Sequence, residues 1–314
     1  MKISIRLLQE SELSTADQIF RLAFGTFIGL PQPLDFGGDA NYIQPRFYAD
    51  KNATFAAEVD GQLVGSNLAI NWGSVGGFGP LSVHPDFWNR GIAQLLIEAA
   101  IAKFAEWGTE QAGLFTFSNS PKHHALYQKF GFYPRFLTFI MAKPIQPQHR
   151  EKTAIVKYSQ LSEKERSHCL KECSQIADAI YPGLDLSREI VAVEAQNLGD
   201  TVLLRNETSL LGFAVCHCGA GSEAGSDRCY VKFGAVAPGL QARERFEQLL
   251  DLCEAFGAEI GMSRLLAGVN TGRDAAYTRM LDIGFRTEIT GLLMHKPNKA
   301  AYNRSDVFVL DDWR

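Results

Sequence analysis

The first 168 residues of this 314-residue chain contain no cysteine; all six, Cys169, Cys173, Cys216, Cys218, Cys229 and Cys253, fall in the second half. A disulfide framework spanning the chain is thereby excluded, and buried free thiols are expected instead. Cys216 and Cys218 share one strand face and Cys169 and Cys173 one helix face, but the paired spacings of a zinc site are missing, so no metal is expected. Basic charge is scarce as well. The chain has 31 Lys and Arg against 35 Asp and Glu, a net charge of -4 and a pI near 6.0, and no basic run. Such a surface offers no bulk attraction for nucleic acid or an anionic membrane, and neither partner is expected. Apolar runs of membrane-spanning length are missing too. The start, MKISIRLLQESEL, is broken by Ser4, Arg6 and Gln9 and lacks the unbroken core of a secretory leader, so a cytoplasmic location is expected.

What is present is an ordinary globular composition, 46% hydrophobic and 21% charged, on a chain long enough for two cores. The first half reads as a strand over residues 3–8, a helix from about Ser14 to Phe27, and a Pro/Gly-rich loop, GLPQPLDFGGDANY. A short helix at 43–48 and a hairpin turning at Asp60-Gly61 follow. One strand is expected through SVGGFGPLSV to Pro85, then a helix from Gly91 to Trp107. A strand, AGLFTFS, a short helix, KHHALYQKFG, and a closing strand, RFLTFIMAK, complete the unit.

The second half repeats this order. Val64-Gly65 is answered by Leu211-Gly212, 147 positions later; Val83 and Pro85 by Val236 and Pro238, and Gly131-Phe132 by Gly284-Phe285, each 153 positions later. A near-constant offset over three segments argues for duplication of a whole domain. The expected division is 1–143, a linker over 144–152, a second unit over 153–297 and a tail over 298–314. Three consecutive strands before the main helix require a mixed sheet, giving an α+β (mixed α/β) fold. The tail, YNRSDVFVLDDWR, alternates apolar residues and is expected to dock as a strand.

The most informative stretch is VHPDFWNRGIAQLL, where a strand passes through a glycine-bearing turn into a helix. A helix start leaves backbone N–H groups without intrahelical partners at the positive end of the dipole. Gly91 lets the backbone approach a ligand, Ala93 leaves that approach open, and Arg90 adds a cation, so an anion seat and an ordinary helix start are both open readings.

These residues, with NSPKHHALYQKFGF downstream, resemble motifs A and B of the GNAT superfamily of N-acetyltransferases. The resemblance covers residues 3–143 and, more weakly, 153–297, and implies two tandem folds, each a mainly antiparallel mixed sheet flanked by helices. It implies acetyl-CoA as acyl donor: the pantetheine arm would pair with Leu81, Ser82 and Val83, the pyrophosphate would sit on Asn89, Arg90, Gly91, Ile92, Ala93 and Gln94, and Asn119 would reach the pantetheine. Tyr127 would protonate the departing thiolate. An amine of a small molecule or peptide is the implied acceptor, attacked directly in a ternary complex. Trp88 stands where the family carries Gln or Arg and is expected to pack at the channel rim and weaken donor binding modestly.

No general base is evident; Glu58, Asp35, Asp39, His123 and His124 are candidates, and His84 is assigned no role. In the second unit Gly91, Ala93 and Trp88 are answered by Glu244, Phe246 and Gln241, and the position four before Gly284 is Met280 rather than tyrosine. A carboxylate and a ring at the phosphate seat imply that this unit does not bind CoA in the usual way. A non-catalytic acyl-CoA or metabolite sensor is the competing function, a purely structural protein the third; the oligomeric state, monomer or homodimer, is open.

Overall fold

The computed structural model describes residues 2–146 and 155–314; most of the linker expected over 144–152 lies outside the described residues. In the first unit the order is β1 (Ile3–Leu7), α1 (Leu13–Ile28), α2 (Ile43–Ala49), β2 (Thr54–Val59), β3 (Gln62–Trp72), β4 (Val75–Phe78), β5 (Ser82–Val83), α3 (Ile92–Trp107), β6 (Gln111–Phe117), α4 (Pro121–Gln128) and β7 (Tyr133–Pro144). The second repeats it: β8 (Val156–Lys157), α5 (Glu163–Ile180), α6 (Ser187–Ala195), β9 (Gly199–Arg205), β10 (Leu210–Gly219), β11 (Gly225–Val236), α7 (Ala242–Glu259), β12 (Arg264–Asn270), α8 (Asp274–Asp282) and β13 (Arg286–Lys296), followed by β14 (Val309–Leu310).

The strands form one sheet in the order β1-β2-β3-β4-β6-β13-β7-β12-β11-β10-β9-β8. Matched by their place in each repeat, β1 with β8 and so on to β7 with β13, the strands read the same from either edge. The duplication seen in the sequence is thus a pseudo-two-fold about the β13–β7 pair. Each unit gives its closing strand to the other. Strand β13 lies between β6 and β7, antiparallel to both, and β7 lies between β13 and β12. Among the described residues the parallel pairs along this path are β4–β6 and β11–β12, one in each unit.

Alternation along the strands separates two layers. In the first unit Ala56, Leu63 and Leu68 pack beneath α1 and α2, whereas Ala57, Val64 and Ala69 pack beneath α3 and α4. In the second, Leu203, Phe213 and Val215 face α5 and α6, and Val202, Ala214 and Cys216 face α7 and α8. All six thiols are free; Cys216, Cys229 and Cys253 pack together in the core beneath α7.

The units are joined by buried charge. Arg46 on α2 donates to both carboxylate oxygens of Glu223, at 2.9 and 2.8 Å, and to the Gly79 carbonyl at 2.7 Å. Lys232 also reaches Glu223, at 2.8 Å, and Glu189, at 3.1 Å, which accepts from the Trp72 indole. Burying these ions costs desolvation that their mutual pairing offsets; removing one partner would strand the others.

Candidate functional site

The strand expected to run unbroken to Pro85 is interrupted. Strand β4 stays beside β6 only as far as the pair Gly77–Gly113. At Gly79-Pro80 the chain turns away, with the Gly79 N–H given to the Leu68 carbonyl, and β5 continues along β3 alone. A gap therefore opens between β5 and the last residues of β6. The His84 N–H donates to the Val64 carbonyl at 2.8 Å, and the register pairs Val83 with Gly65. By the alternation of antiparallel pairing, the N–H and C=O groups of Leu81 and Val83 then point away from β3, into the gap.

Below this edge lies the turn into α3. Asn89 and Gly91 both have left-handed backbones, with φ of 63° and 81°. Such curls aim successive N–H groups to one side, and the first amides of α3 have no intrahelical acceptor. A Cβ on Gly91 would meet nothing within 4 Å, so glycine serves its φ and leaves open space in front. The Gln94 N–H is taken by the Gly91 carbonyl at 3.0 Å, so the open amides end at Ala93, one residue before the expected limit.

Trp88 packs at this rim, and it does more than the sequence foretold: its indole N–H donates to the Val83 carbonyl at 2.6 Å, with Lys122 over the ring at 5.3 Å. One of the outward acceptors of the β5 edge is therefore occupied by the chain itself.

Tyr127 is held on the other side of the gap. Helix α4 is started by Ser120, whose hydroxyl accepts from the His123 N–H, and by Pro121 at its first position. Two turns on, Tyr127 is buried against Phe78 and Phe132, beside the Thr116 hydroxyl, and burial pushes its phenol up, keeping it protonated at neutral pH. These parts open into one cavity of about 1110 Å³. Leu81, Ser82, Val83, Asn89, Arg90, Gly91, Ile92, Ala93, Gln94 and Tyr127 all line it; Asn119 does not, and lies exposed on the turn after β6.

Of the base candidates, Glu58 is paired with Arg6 at 2.9 Å, and Asp35 and His124 stand outside the cavity wall. Asp39 lines it but accepts from the Ser226 N–H at 2.8 Å and from the Ser226 hydroxyl. His123 lines it too. Its Nδ1 is buried and finds no partner among the described residues, and burial, with Lys122 and His124 nearby, pushes the imidazole down to about 4. It is neutral at pH 7.

The far wall is built by the other unit. Ala224, Gly225, Ser226, Arg228, Ile289, Trp313 and Arg314 come from the second half. The tail docks as expected, β14 pairing with β11, and its Trp313 ring then lies where a Cβ on Gly77 would sit, 2.7 Å away, and close to Gly113. Two glycines in adjacent strands make room for the indole. In the second unit Phe246 is wholly buried in the core against Phe308, so the ring that replaces Ala93 fills the helix start from within rather than standing at its mouth.

A family model described as the acetyltransferase (GNAT) family matches residues 18–132. Among curated proteins none matches the chain by sequence. Among solved structures, one from Pyrococcus horikoshii assigned as an acetyltransferase superposes with a TM-score of 0.69 at 13% identity, over 99% of this chain and 95% of its own. A GCN5-related N-acetyltransferase from Sphaerobacter thermophilus gives 0.58 at 13% identity, over 94% and 95%. Another from Anabaena variabilis gives 0.56 at 11%, over 96% and 74%. The family match runs from within α1 to the turn after α4 and so takes in the parted strands, the amide turn and Tyr127; over this first unit the chain is similar to the GNAT family of acetyltransferases, and the fold it shares with the solved structures extends over both units.

Proposed function

We propose that the first unit binds acetyl-CoA and transfers its acetyl group to an amine by direct attack in a ternary complex. The observation that carries this reading is the single cavity joining an outward strand edge, an open amide turn and a buried, protonated tyrosine. The residues present suit such a donor. Open amides up to Ala93 and the space before Gly91 would receive the pyrophosphate, and the free N–H and C=O groups of Leu81 and the Val83 N–H would pair with the pantetheine amides as an added strand does. A thioester arrives already activated, so the chain has little chemistry to add. Its edge N–H groups would face the developing oxyanion, and Tyr127 would hold the proton the leaving sulfur requires.

Among the described side chains lining the cavity the one carboxylate, Asp39, is tied to Ser226, and this favours the second reading, a sensor that binds acyl-CoA without turnover. Thiol release from acetyl-CoA in the presence of amines separates the two. Transfer should be measurable and should fall by about 100-fold or more in Tyr127→Phe, the contribution expected of a general acid. Tight acetyl-CoA binding with no amine-dependent release above that variant would support the sensor and refute the transferase.

A further inference from the structure

The acceptor end of the cavity has a chemistry of its own. Thr116 and Phe117 are adjacent in β6 and point to opposite faces, so Tyr127 and the Phe117 ring stand on opposite sides of the one cavity. On the Phe117 side the wall is a run of rings. Phe20, Phe24 and Phe36 meet at 4.8 to 5.4 Å, Phe24 reaches Phe117 at 5.9 Å, Phe117 reaches Phe27 at 4.8 Å, and Phe27 meets His123 at 4.6 Å. Most of these rings are half-buried, showing one face to the cavity. At its mouth Ile28 and Ile289, 45% and 48% exposed, form an apolar lip. Helix α4 from one face and α1 from the other touch here because no strand fills the gap between them.

The charge around the cavity points the same way. Its wall holds the basic side chains Arg90, Lys122, Lys129, Arg228 and Arg314, the last paired with Asp312 at 3.3 Å, and, among the described side chains, one carboxylate, Asp39, already bonded to Ser226. An acceptor carrying several ammonium groups would be repelled and would find no carboxylate to hold it. In the run from Phe20 to His123, among the described residues, the buried polar atom without a partner is His123 Nδ1, on a neutral imidazole able to hydrogen-bond a single amine.

Resting on the transferase reading, we propose that the acceptor is a monoamine on an aromatic or long-alkyl body, seated in this phenylalanine sleeve with its nitrogen near His123. Polyamines and lysine-rich peptides would be repelled by the same wall, and an amino sugar would bring hydroxyls that the rings leave without partners.

The test uses the full chain with 2-phenylethylamine and octylamine against spermidine and glucosamine. Thiol release from acetyl-CoA should give at least about tenfold higher kcat/KM for the apolar amines. Phe27→Asp, which places a carboxylate in the sleeve, should raise KM for 2-phenylethylamine about tenfold or more and narrow the gap to spermidine. Calorimetry with acetyl-CoA alone reports the donor site separately, and saturation-transfer NMR with each amine alone reports the sleeve even where no turnover occurs. Spermidine or glucosamine used or bound as well as the apolar amines overturns the assignment of acceptor while leaving the donor reading in place. Failure to bind acetyl-CoA overturns the donor reading, with amine binding still deciding the sleeve.

Discussion

Placing a carboxylate at Gly91 imitates in the first unit what the second already has at Glu244, and it isolates the role of the amide turn. At φ 81° any L side chain is strained by about 1 kcal/mol, but a Cβ there meets no protein atom within 4 Å. Gly91→Ala should therefore lower the melting temperature by only a few degrees. Gly91→Gln adds bulk without charge, and Gly91→Glu adds charge at the same bulk. A carboxylate about 5 Å from a phosphate, at an effective dielectric near 20, costs about 3 kcal/mol, a loss of a few hundredfold in affinity. Calorimetric titration with acetyl-CoA should show this ratio between Gln and Glu at low salt, and a smaller one in about 1 M salt as screening sets in. Should folded Gly91→Glu bind acetyl-CoA within threefold of Gly91→Gln, the pyrophosphate does not sit on this turn.

Three further outcomes follow from the same geometry. Trp88→Phe keeps a ring beneath Lys122 but releases the Val83 carbonyl; acetyl-CoA should bind about fivefold tighter, the worth of one neutral hydrogen bond, and unchanged affinity in calorimetry would show that this carbonyl is not used. Leu310→Ala removes a wholly buried side chain from the docked tail and should cost about 3 kcal/mol in urea unfolding; a cost below about 1 kcal/mol would mean the tail is not part of the second core. His217 and His295 are buried, and burial pushes both imidazoles from their ordinary 6.5 down to about 4. The unfolded chain takes up these protons at higher pH than the folded one, so stability is full above about pH 6.5 and is lost as the pH falls toward 4. The loss is on the order of 3 kcal/mol for each. A urea midpoint constant between pH 7 and 4.5 would refute this, and His217→Gln should flatten the slope.

Much of this was legible in the residues because local patterns and tertiary demand agree. The hairpin at Asp60-Gly61, the helix ending before Gly108 and the repeat offset all rest on short-range chemistry, and β2–β3, α3 and the palindromic strand order bear them out. The break at Gly79-Pro80 carried its own signal, a dipeptide that rarely sits inside a paired strand, but the alternation around it read as one continuous strand. Strand exchange had no such signal: β7 and β13 look alike as closing strands whichever neighbour they pair with, since register is set by partners far away in the chain. The sleeve was missed for a related reason. Phe20, Phe24 and Phe27 fall at helical spacing and look like core until Phe36 and Phe117 are placed opposite them. His123 likewise looks exposed until Phe27 covers it.

The two gaps in the sheet are filled differently, and on the proposed reading this leaves the donor site to the first unit. By the 153-residue offset, Leu81 and Ser82 of β5 correspond to Gly234 and Ala235 of β11. Strand β11 parts from β12 after Val231, as β4 parts from β6, and on that freed edge Gly234 pairs with Leu310 and Ala235 with Val309. The tail thus lies in the second unit where an added strand would lie in the first. A tethered segment acts at an effective concentration in the millimolar range for a short linker, so a free ligand of similar affinity would be outcompeted. Buried bonds hold it further: Arg273 to Asp311 at 3.0 Å, Tyr302 to Asp311 at 2.6 Å and Tyr230 to Asp312 at 3.0 Å. Having threaded the second gap, the chain delivers Trp313 onto Gly77 and Gly113, at the point where the first gap opens. The closed unit is in this way part of the open one: it gives β13 to the sheet, Gly225 to Arg228 to the cavity wall, and its tail to the floor. On the proposed reading the second gap, taken up by the tail, serves as the anchor for the wall of the first.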